Sequence, residues 1–168
     1  MFKKSFIIII LISAVIALFG QGLKADLQSY AEQMERYQDL VSNPTLESLL
    51  ERISNDDTEA LYEMIEFLQG DYLNSLNSYL EAIIPISPKT VKVKFLHSEF
   101  LEAYDALYRA LSALSKIDSA VLRAAEEDFD AEVPDEYNDF IFGLNLFSIK
   151  MNTYSALNHE LSFLVQFE

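Results

Sequence analysis

The chain has 168 residues, of which 27 are acidic and 12 are Lys or Arg, so its formal net charge is −15, and it contains no cysteine. Without cysteine it cannot form disulfides, thiolate nucleophiles, iron–sulfur clusters or covalently attached c-type haem. The acidic excess argues against nucleic acid as a partner, because phosphate binding requires a basic surface. The length favours one domain with a full core.

Residues 1–25 have the composition of a secretory signal peptide. Two lysines precede an apolar run over residues 6–19, and small residues follow it. The run is shorter than the about 20 residues that a membrane-spanning helix requires. We therefore expect export to the periplasm or another extracytoplasmic compartment, with cleavage after Gly22 or Ala25 and a helical domain over residues 26–168. An uncleaved membrane anchor is the alternative.

The first segment of that domain predicts a kinked helix. Its apolar residues recur at steps of three and four, which is the spacing of one face of a helix. Pro44 cannot donate a backbone hydrogen bond to Leu40, so we expect a kink or restart there, with Asn43 as the N-cap of a short second piece. The stripe comprises Leu27, Tyr30, Met34, Tyr37 and Val41 before Pro44, and Leu46, Leu49, Leu50 and Ile53 after it.

A further helix is predicted over residues 58–84. Asp56 and Glu59 have the spacing of a capping box at its start, and Pro85 follows its end. Gly70 lies inside the helix, at a cost of about 1 kcal/mol relative to alanine. The stripe of this helix is Leu61, Ile65, Leu68, Tyr72, Leu76, Tyr79 and Ile83.

Residues 87–130 predict the central helix, with Ser87 as its cap and Pro88 as its first residue. A helix over this whole stretch would be longer than its partners, so we expect it to end or bend between Ser115 and Glu127. One face carries large side chains, at Val93, Leu96, Phe100, Tyr104, Leu107, Leu111, Leu114 and Val121. A neighbouring face carries alanines that permit close helix packing, at Ala103, Ala106, Ala110, Ala113, Ala120 and Ala124.

The last helix is expected to start at Pro134 and to run over residues 135–166. Its stripe is Tyr137, Phe140, Leu144, Phe147, Met151, Tyr154, Leu161 and Leu164. No strand pattern occurs in the sequence. These segments together predict an all-α fold, an up-down-up-down four-helix bundle with a kinked first helix, preceded by the N-terminal signal segment.

The two histidines do not have the spacing of a metal-binding bundle. Di-iron bundles place a glutamate three residues before each histidine, whereas Lys94 precedes His97 and Ala156 precedes His159. Met34 and His159 could hold a non-covalent haem between the first and last helices. Because Met34 lies on a core stripe, packing is the simpler explanation, and we expect no cofactor.

Eight acidic residues lie between Glu126 and Asp139. Four of them have part of the spacing of an EF-hand calcium loop, namely Asp128, Asp130, Glu132 and Asp139. The pattern fails at its sixth position, where Val133 replaces the glycine that the turn requires. A solvated acidic linker is the favoured interpretation, and a weak calcium site is the alternative.

No enzymatic signature is present. The sequence lacks a Gly-x-Ser-x-Gly turn, and its four glycines leave little for oxyanion or phosphate loops. Lys89, Lys92 and Lys94 form a small basic cluster with His97, for which we expect a solvated face. We therefore expect a protein that is not an enzyme.

Between residues 140 and 149 the last helix is apolar on more than one side. Such a helix either lies at the centre of the bundle or exposes a patch for a partner or a second copy of the chain. The leading hypothesis is an exported adaptor, inhibitor or chaperone that binds a basic protein through its acidic surface and this patch. The candidate contact residues are Glu126, Glu127, Asp128, Asp130, Phe142, Leu146 and Ile149. The alternative function is a carrier of haem or a small ligand in the bundle interior.

Overall fold

The computed structural model describes residues 22–55, 57–127 and 133–166, and within them the side chains of residues 54 and 125–127 are not described. The described residues form helices and short turns with no strand. The predicted all-α class is therefore confirmed. Residues 1–21 of the predicted signal segment lie outside the described residues. The elements are α1 (22–35), a 3-10 turn (Gln38–Leu40), α2 (Pro44–Ser54), α3 (Thr58–Leu68), α4 (Tyr72–Ile83), α5 (Val91–Leu114), α6 (Ser119–Glu127) and α7 (Asp135–Leu164).

The helical restart at Pro44 is confirmed, but the first helix ends before Tyr37 and Val41, which the sequence had predicted to lie on its stripe. Helix α1 ends at residue 35, and α2 begins at Pro44. The side chain of Asn43 accepts hydrogen bonds from the backbone N–H groups of Thr45 and Leu46, at 3.0 and 3.2 Å. These bonds satisfy two of the donors that every helix start leaves unpaired.

The prediction of a single helix over residues 58–84 is wrong. A turn at Gly70 separates α3 from α4, and the N–H of Gly70 bonds to the carbonyl of Phe67 at 3.2 Å. Glycine is a weak helix former, so packing on either side decides whether the helix continues through it. The N-cap of α3 is Asp57 in place of the expected Asp56, which lies outside the described residues.

The central helix is shorter than predicted at both ends. Its N-cap is Thr90 in place of Ser87, and α5 ends at Leu114, within one residue of the expected break. Asp118 then accepts a hydrogen bond from the N–H of Ala120 at 2.8 Å at the start of α6. This turn changes the direction of the chain between α5 and α6. As a result Val121, which was a predicted core residue, is 49% exposed, and its neighbour Leu122 is buried instead.

Helices α5 and α7 pack side by side in antiparallel directions. Gly143 on α7 lies against Ala110 on α5, and seven residues later Lys150 pairs with Glu99 at 3.2 Å. Ala103, Ala106, Ala110 and Ala113 on α5 are all buried, as the spacing predicted, whereas Ala120 and Ala124 lie on α6 and are exposed. Small side chains at the buried positions let the two backbones approach closely.

The core has two clusters. One lies around α2, α3, the start of α4, the end of α5 and the start of α7, and it includes Met64, Ile65, Leu68 and Leu111. The other joins α1, the end of α4, the start of α5 and the end of α7, and it includes Leu23, Ile83, Leu96 and Leu161. Tyr104, Tyr108 and Val41 pack against both clusters. Across the described ranges, no helix has both the length and the hydropathy of a membrane span.

Candidate functional site

A row of apolar side chains lies exposed on the outer face of α7. Phe142 is 70% exposed and Ile149 is 62% exposed, and the half-buried Leu146 lies between them. Their spacing of four and three residues places them on one side of the helix. Phe140, in contrast, is buried. Within the described part of the chain, Ile141, Phe142 and Ile149 are therefore exposed, which favours the interpretation of a patch for a partner.

A groove runs beside this row, between α5 and α7, with a volume of about 410 Å³. Phe142 and Leu146 line one wall, and Gly143 lines the floor. Arg109, Lys116 and Asp139 also line the groove, so both signs of charge are present. The structure thus places two of the predicted contact residues, Phe142 and Leu146, in one concave surface, and Ile149 lies one turn further along the same face.

The predicted acidic contact residues and calcium candidates lie mostly outside the residues whose side chains the structure describes. Asp128, Asp130 and Glu132 fall there, and Glu126 and Glu127 are described only as the last residues of α6. Asp139 is exposed on α7. Of the four predicted calcium ligands, only Asp139 is therefore among the described residues. Among the described residues, no group of three or more His, Asp or Glu side chains is arranged to hold a metal ion.

The two haem candidates are in different surroundings. Met34 is half-buried, packs against the second core cluster and lines a large cavity, whereas His159 is exposed on α7 and does not line that cavity. The two residues do not line the same cavity.

That cavity, of about 640 Å³, is the larger concave feature and lies under α1 and α2. We call it the aromatic cavity. Its aromatic lining comes from α4, α5 and α7, namely Tyr72, Tyr79, Phe100, Tyr104 and Tyr154. Two carboxylates from the covering segments, Glu35 and Glu47, also line it. The remaining lining residues are Ala31, Met34, Gln38, Val41, Ser42, Leu46 and Leu107.

The rings of the aromatic cavity pack against one another, one pair stacked and the others at steeper angles. Tyr104 stacks on Phe100 with ring centroids 4.5 Å apart. Tyr154 meets Phe100 at 5.0 Å and 60°, and Tyr79 meets Tyr104 at 5.2 Å and 53°. Rings held at such angles by edge and face contacts form adjoining walls, and the contacts themselves stabilise the arrangement.

The phenols of this cavity stay neutral at physiological pH. Burial raises the pKa of Tyr79, Tyr104 and Tyr154, and proximity to Tyr154 raises the pKa of Tyr79 and Tyr104 further. Burial also raises the pKa of Tyr72 to about 12, and its hydroxyl donates to the carbonyl oxygen of Val41 at 3.3 Å. The cavity therefore presents neutral hydroxyls and ring faces.

Helical spacing predicts core positions for these tyrosines. The available signal was the residue type, because tyrosine at several core positions leaves hydroxyls that require a polar neighbour or water. Helical spacing alone does not distinguish a ring that fills a core from a ring that lines a cavity.

His97 lies in surroundings that differ from those the sequence predicted. It was expected on a solvated basic face, but it is 6% exposed and its ring meets Tyr30 edge-on with centroids 5.5 Å apart. Neither of its ring nitrogens has a hydrogen-bond partner in the described structure. Burial lowers the pKa of His97 below its ordinary value, so its ring is neutral. The three lysines of the cluster are exposed, as expected.

The carboxylate of Asp26 ties α1 to the start of α5. It accepts hydrogen bonds from the N–H of Lys89 at 2.9 Å and from both the N–H and the hydroxyl of Thr90 at 2.7 Å. Burial raises the pKa of Asp26, but the bonds from Lys89 and Thr90 together outweigh it, and the pKa is lowered overall. This link positions α1 over the aromatic cavity.

No protein-family model matches the chain, and comparisons with curated proteins and with solved structures likewise found no match. Inference about function therefore rests on the two surfaces described above.

Proposed function

We propose that this protein is an exported, non-enzymatic interaction protein of the cell envelope, an adaptor, inhibitor or chaperone, and that it binds a basic protein partner. The observation that supports this most directly is the exposed row on α7, where Phe142, Leu146 and Ile149 share one face while Phe140 on the opposite side is buried. Large apolar patches with polar surroundings are typical of interaction surfaces.

Burial of this row would supply the affinity of the complex. Covering a large apolar side chain contributes about 1.5–3 kcal/mol, and an aromatic residue at the centre of an interface is a frequent hot spot. The 70% exposure of Phe142 leaves most of that contribution available to a partner.

Charge would select the partner and speed its arrival. The formal charge of −15 attracts a basic surface, and eight acidic residues lie between Glu126 and Asp139, close in sequence to the start of α7. Long-range attraction mainly raises the association rate, and it weakens as salt screens the charges. The proposed complex therefore forms faster at low salt and is held by contacts that salt hardly changes.

The export signal and the four-helix-bundle topology are part of the same proposal. The signal at residues 1–25 directs export, and α1 with α2, α3 with α4, α5 with α6, and α7 form the four segments of an up-down-up-down bundle. The antiparallel packing of α5 against α7 supports this topology.

A photo-cross-linker placed at residue 142 tests the proposal in intact cells. We expect it to capture a basic protein, which is then purified for binding kinetics. Phe142→Ala should raise its dissociation rate, and replacement of Glu126, Glu127, Asp128 and Asp130 by amides should lower its association rate. Val121→Ala is the matched control, because Val121 is an exposed apolar residue on a different helix.

The contrary results are equally specific. Capture of an acidic protein, or kinetics that neither salt nor the four amides change, would contradict a basic partner. Cross-linking to a second copy of the chain, with a dimer in analytical ultracentrifugation that Phe142→Ala dissociates, would make the row a homo-oligomer interface.

A further inference from the structure

The aromatic cavity is of a size that suits a small organic ligand. Its volume of about 640 Å³ falls in the range of ligand pockets, which is roughly 300–1,000 Å³. It lies between the covering segment that contains Met34 and Gln38 and the aromatic walls from α4, α5 and α7. It is separate from the groove beside Phe142, and the two share no lining residue.

The walls of the cavity attract positive charge. The face of an aromatic ring is electrostatically negative, and rings at different angles can contact one cation from several sides. Tyr79, Phe100, Tyr104 and Tyr154 line the cavity and pack against one another, with neighbouring centroids between 4.5 and 6.4 Å apart, so a cation would bind on the open side of this group and not between its rings. Aromatic side chains that line a pocket are a common binding site for alkylated ammonium groups.

The charged residues at the cavity are all of one sign. Glu35 and Glu47 line it, and no Lys, Arg or His is present among its described lining residues. Neither carboxylate forms an ion pair with any described residue, although Glu59, Glu63, Glu99 and Glu102 all do. Glu47 also lies in the first turn of α2, where a negative charge stabilises the helix, but Glu35 is near the end of α1 and has no such role.

A neutral apolar ligand would not require these carboxylates, and an anion would be repelled by them. We propose that the aromatic cavity binds an organic cation, with its alkylated ammonium group against Tyr79, Phe100, Tyr104 and Tyr154 and its charge balanced by Glu35 and Glu47. This site is independent of the interaction surface on α7.

The test compares two probes of the same shape on the purified protein. Choline contains a trimethylammonium group, and 3,3-dimethylbutan-1-ol replaces its nitrogen by carbon and is neutral. We expect titrations followed by NMR to show choline binding at least about threefold more tightly, which is the size of difference that cation–ring contacts provide at solvent-exposed sites. Equal affinity for the two probes, or no binding of choline, would overturn the proposal.

Two sets of variants then separate charge from ring faces. Glu35→Gln combined with Glu47→Gln should weaken choline binding about tenfold and leave the neutral alcohol unchanged, whereas Glu32→Gln, on the same helix outside the cavity, should change neither. Tyr104→Leu should weaken choline binding and Tyr104→Phe should retain it, because phenylalanine keeps the ring face. If the glutamine pair binds choline as the wild type does, the carboxylates have no part in recognition and the assigned charge balance is wrong.

Discussion

Gly143 on α7 lies so close to Ala110 on α5 that a Cβ atom at residue 143 would stand 2.7 Å from the Cβ of Ala110 and 3.1 Å from the carbonyl oxygen of Ala106. Real Cβ atoms do not approach other carbons this closely, so only glycine fits without movement of one helix. This contact therefore fixes the separation of α5 and α7, the pair that carries both the exposed row and two walls of the aromatic cavity.

We predict that Gly143→Ala destabilises the protein. Alanine favours the helix by about 1 kcal/mol over glycine, but overpacking a well-filled contact typically costs about 1–3 kcal/mol. Two of the three atoms nearest to the added Cβ, the carbonyl oxygen of Ala106 and the Cα of Ala110, are backbone. Urea unfolding measures the balance, and we expect a net loss. Ser148→Ala, at an exposed position of the same helix, is the control and should be neutral or slightly stabilising. A more stable Gly143→Ala variant would mean that the helices lie further apart.

The second prediction concerns the core stripe of α5. Leu111 is 1% exposed, so Leu111→Ala should leave a cavity and cost about 2–5 kcal/mol. Val121→Ala should change stability by less than about 0.5 kcal/mol, since Val121 is exposed beyond the turn that ends α5. Unfolding of the two variants under the same conditions provides the comparison. Similar losses at both sites would indicate one continuous helix, as the stripe alone had predicted.

Structural features that depend on residues close together in the chain could be predicted from the sequence. Pro44 cannot donate to the preceding turn, and Asn43 supplies the cap that α2 requires, so the break there was predictable. The alanine face of α5 likewise follows from spacing alone. The sequence left two interpretations of the apolar stretch around Phe142, a helix at the centre of the bundle or an exposed patch. The choice between them depends on how the neighbouring helices pack.

Features that depend on contacts between residues far apart in the chain could not be predicted in this way. The start of α5 moves from Ser87 to Thr90, and Asp26, more than sixty residues earlier in the chain, binds the backbone there. The break at Gly70 could not be predicted from the local cost of about 1 kcal/mol alone, because packing on either side decides whether a helix continues through a glycine. His97 occupies a position whose burial is set by Tyr30 on another helix.

Asp26 gives the third prediction. A hydrogen bond to a charged group contributes about 1.5–3 kcal/mol, so Asp26→Ala should cost at least about 2 kcal/mol, and Asp26→Asn should cost less because it keeps one acceptor oxygen. The control is Asp39→Ala, at an exposed carboxylate in the 3-10 turn.

The pH dependence of these variants provides a second readout. Because the folded state lowers the pKa of Asp26, its stabilisation is complete above the ordinary value of 3.8 and is lost as pH falls below that value through the lowered one. The stability gap between wild type and Asp26→Ala should therefore close at low pH. A gap that persists there would show that the loss is one of packing and not of the charged bonds.

The fourth prediction is that the mature chain begins at Leu23. Leu23 is buried in the second core cluster, with Tyr30 and Leu161, so cleavage after Ala25 would remove a core side chain, whereas cleavage after Gly22 would keep it. Intact-mass measurement of envelope material identifies the terminus. A chain that starts at Asp26 would contradict the role of Leu23 in the core, and a full-length chain in the membrane fraction would favour the uncleaved anchor.

The last prediction concerns His97. Burial lowers its pKa below the ordinary value of 6.5, so below about pH 6.5 the unfolded chain takes up a proton that the folded protein resists. The unfolded state then binds more protons, and stability should fall as pH decreases from about 6.5 towards 5.5, above the range in which carboxylates titrate.

His97→Phe removes both unpartnered nitrogens and keeps a ring beside Tyr30. An unsatisfied buried polar group costs about 1–3 kcal/mol, so this variant should be at least as stable as the wild type at pH 7, and its stability should be flat between pH 6.5 and 5.5. His159→Gln, at the exposed histidine, should retain the wild-type slope. If His97→Phe keeps that slope and His159→Gln loses it, the titrating histidine is the exposed one, and His97 is not buried in solution.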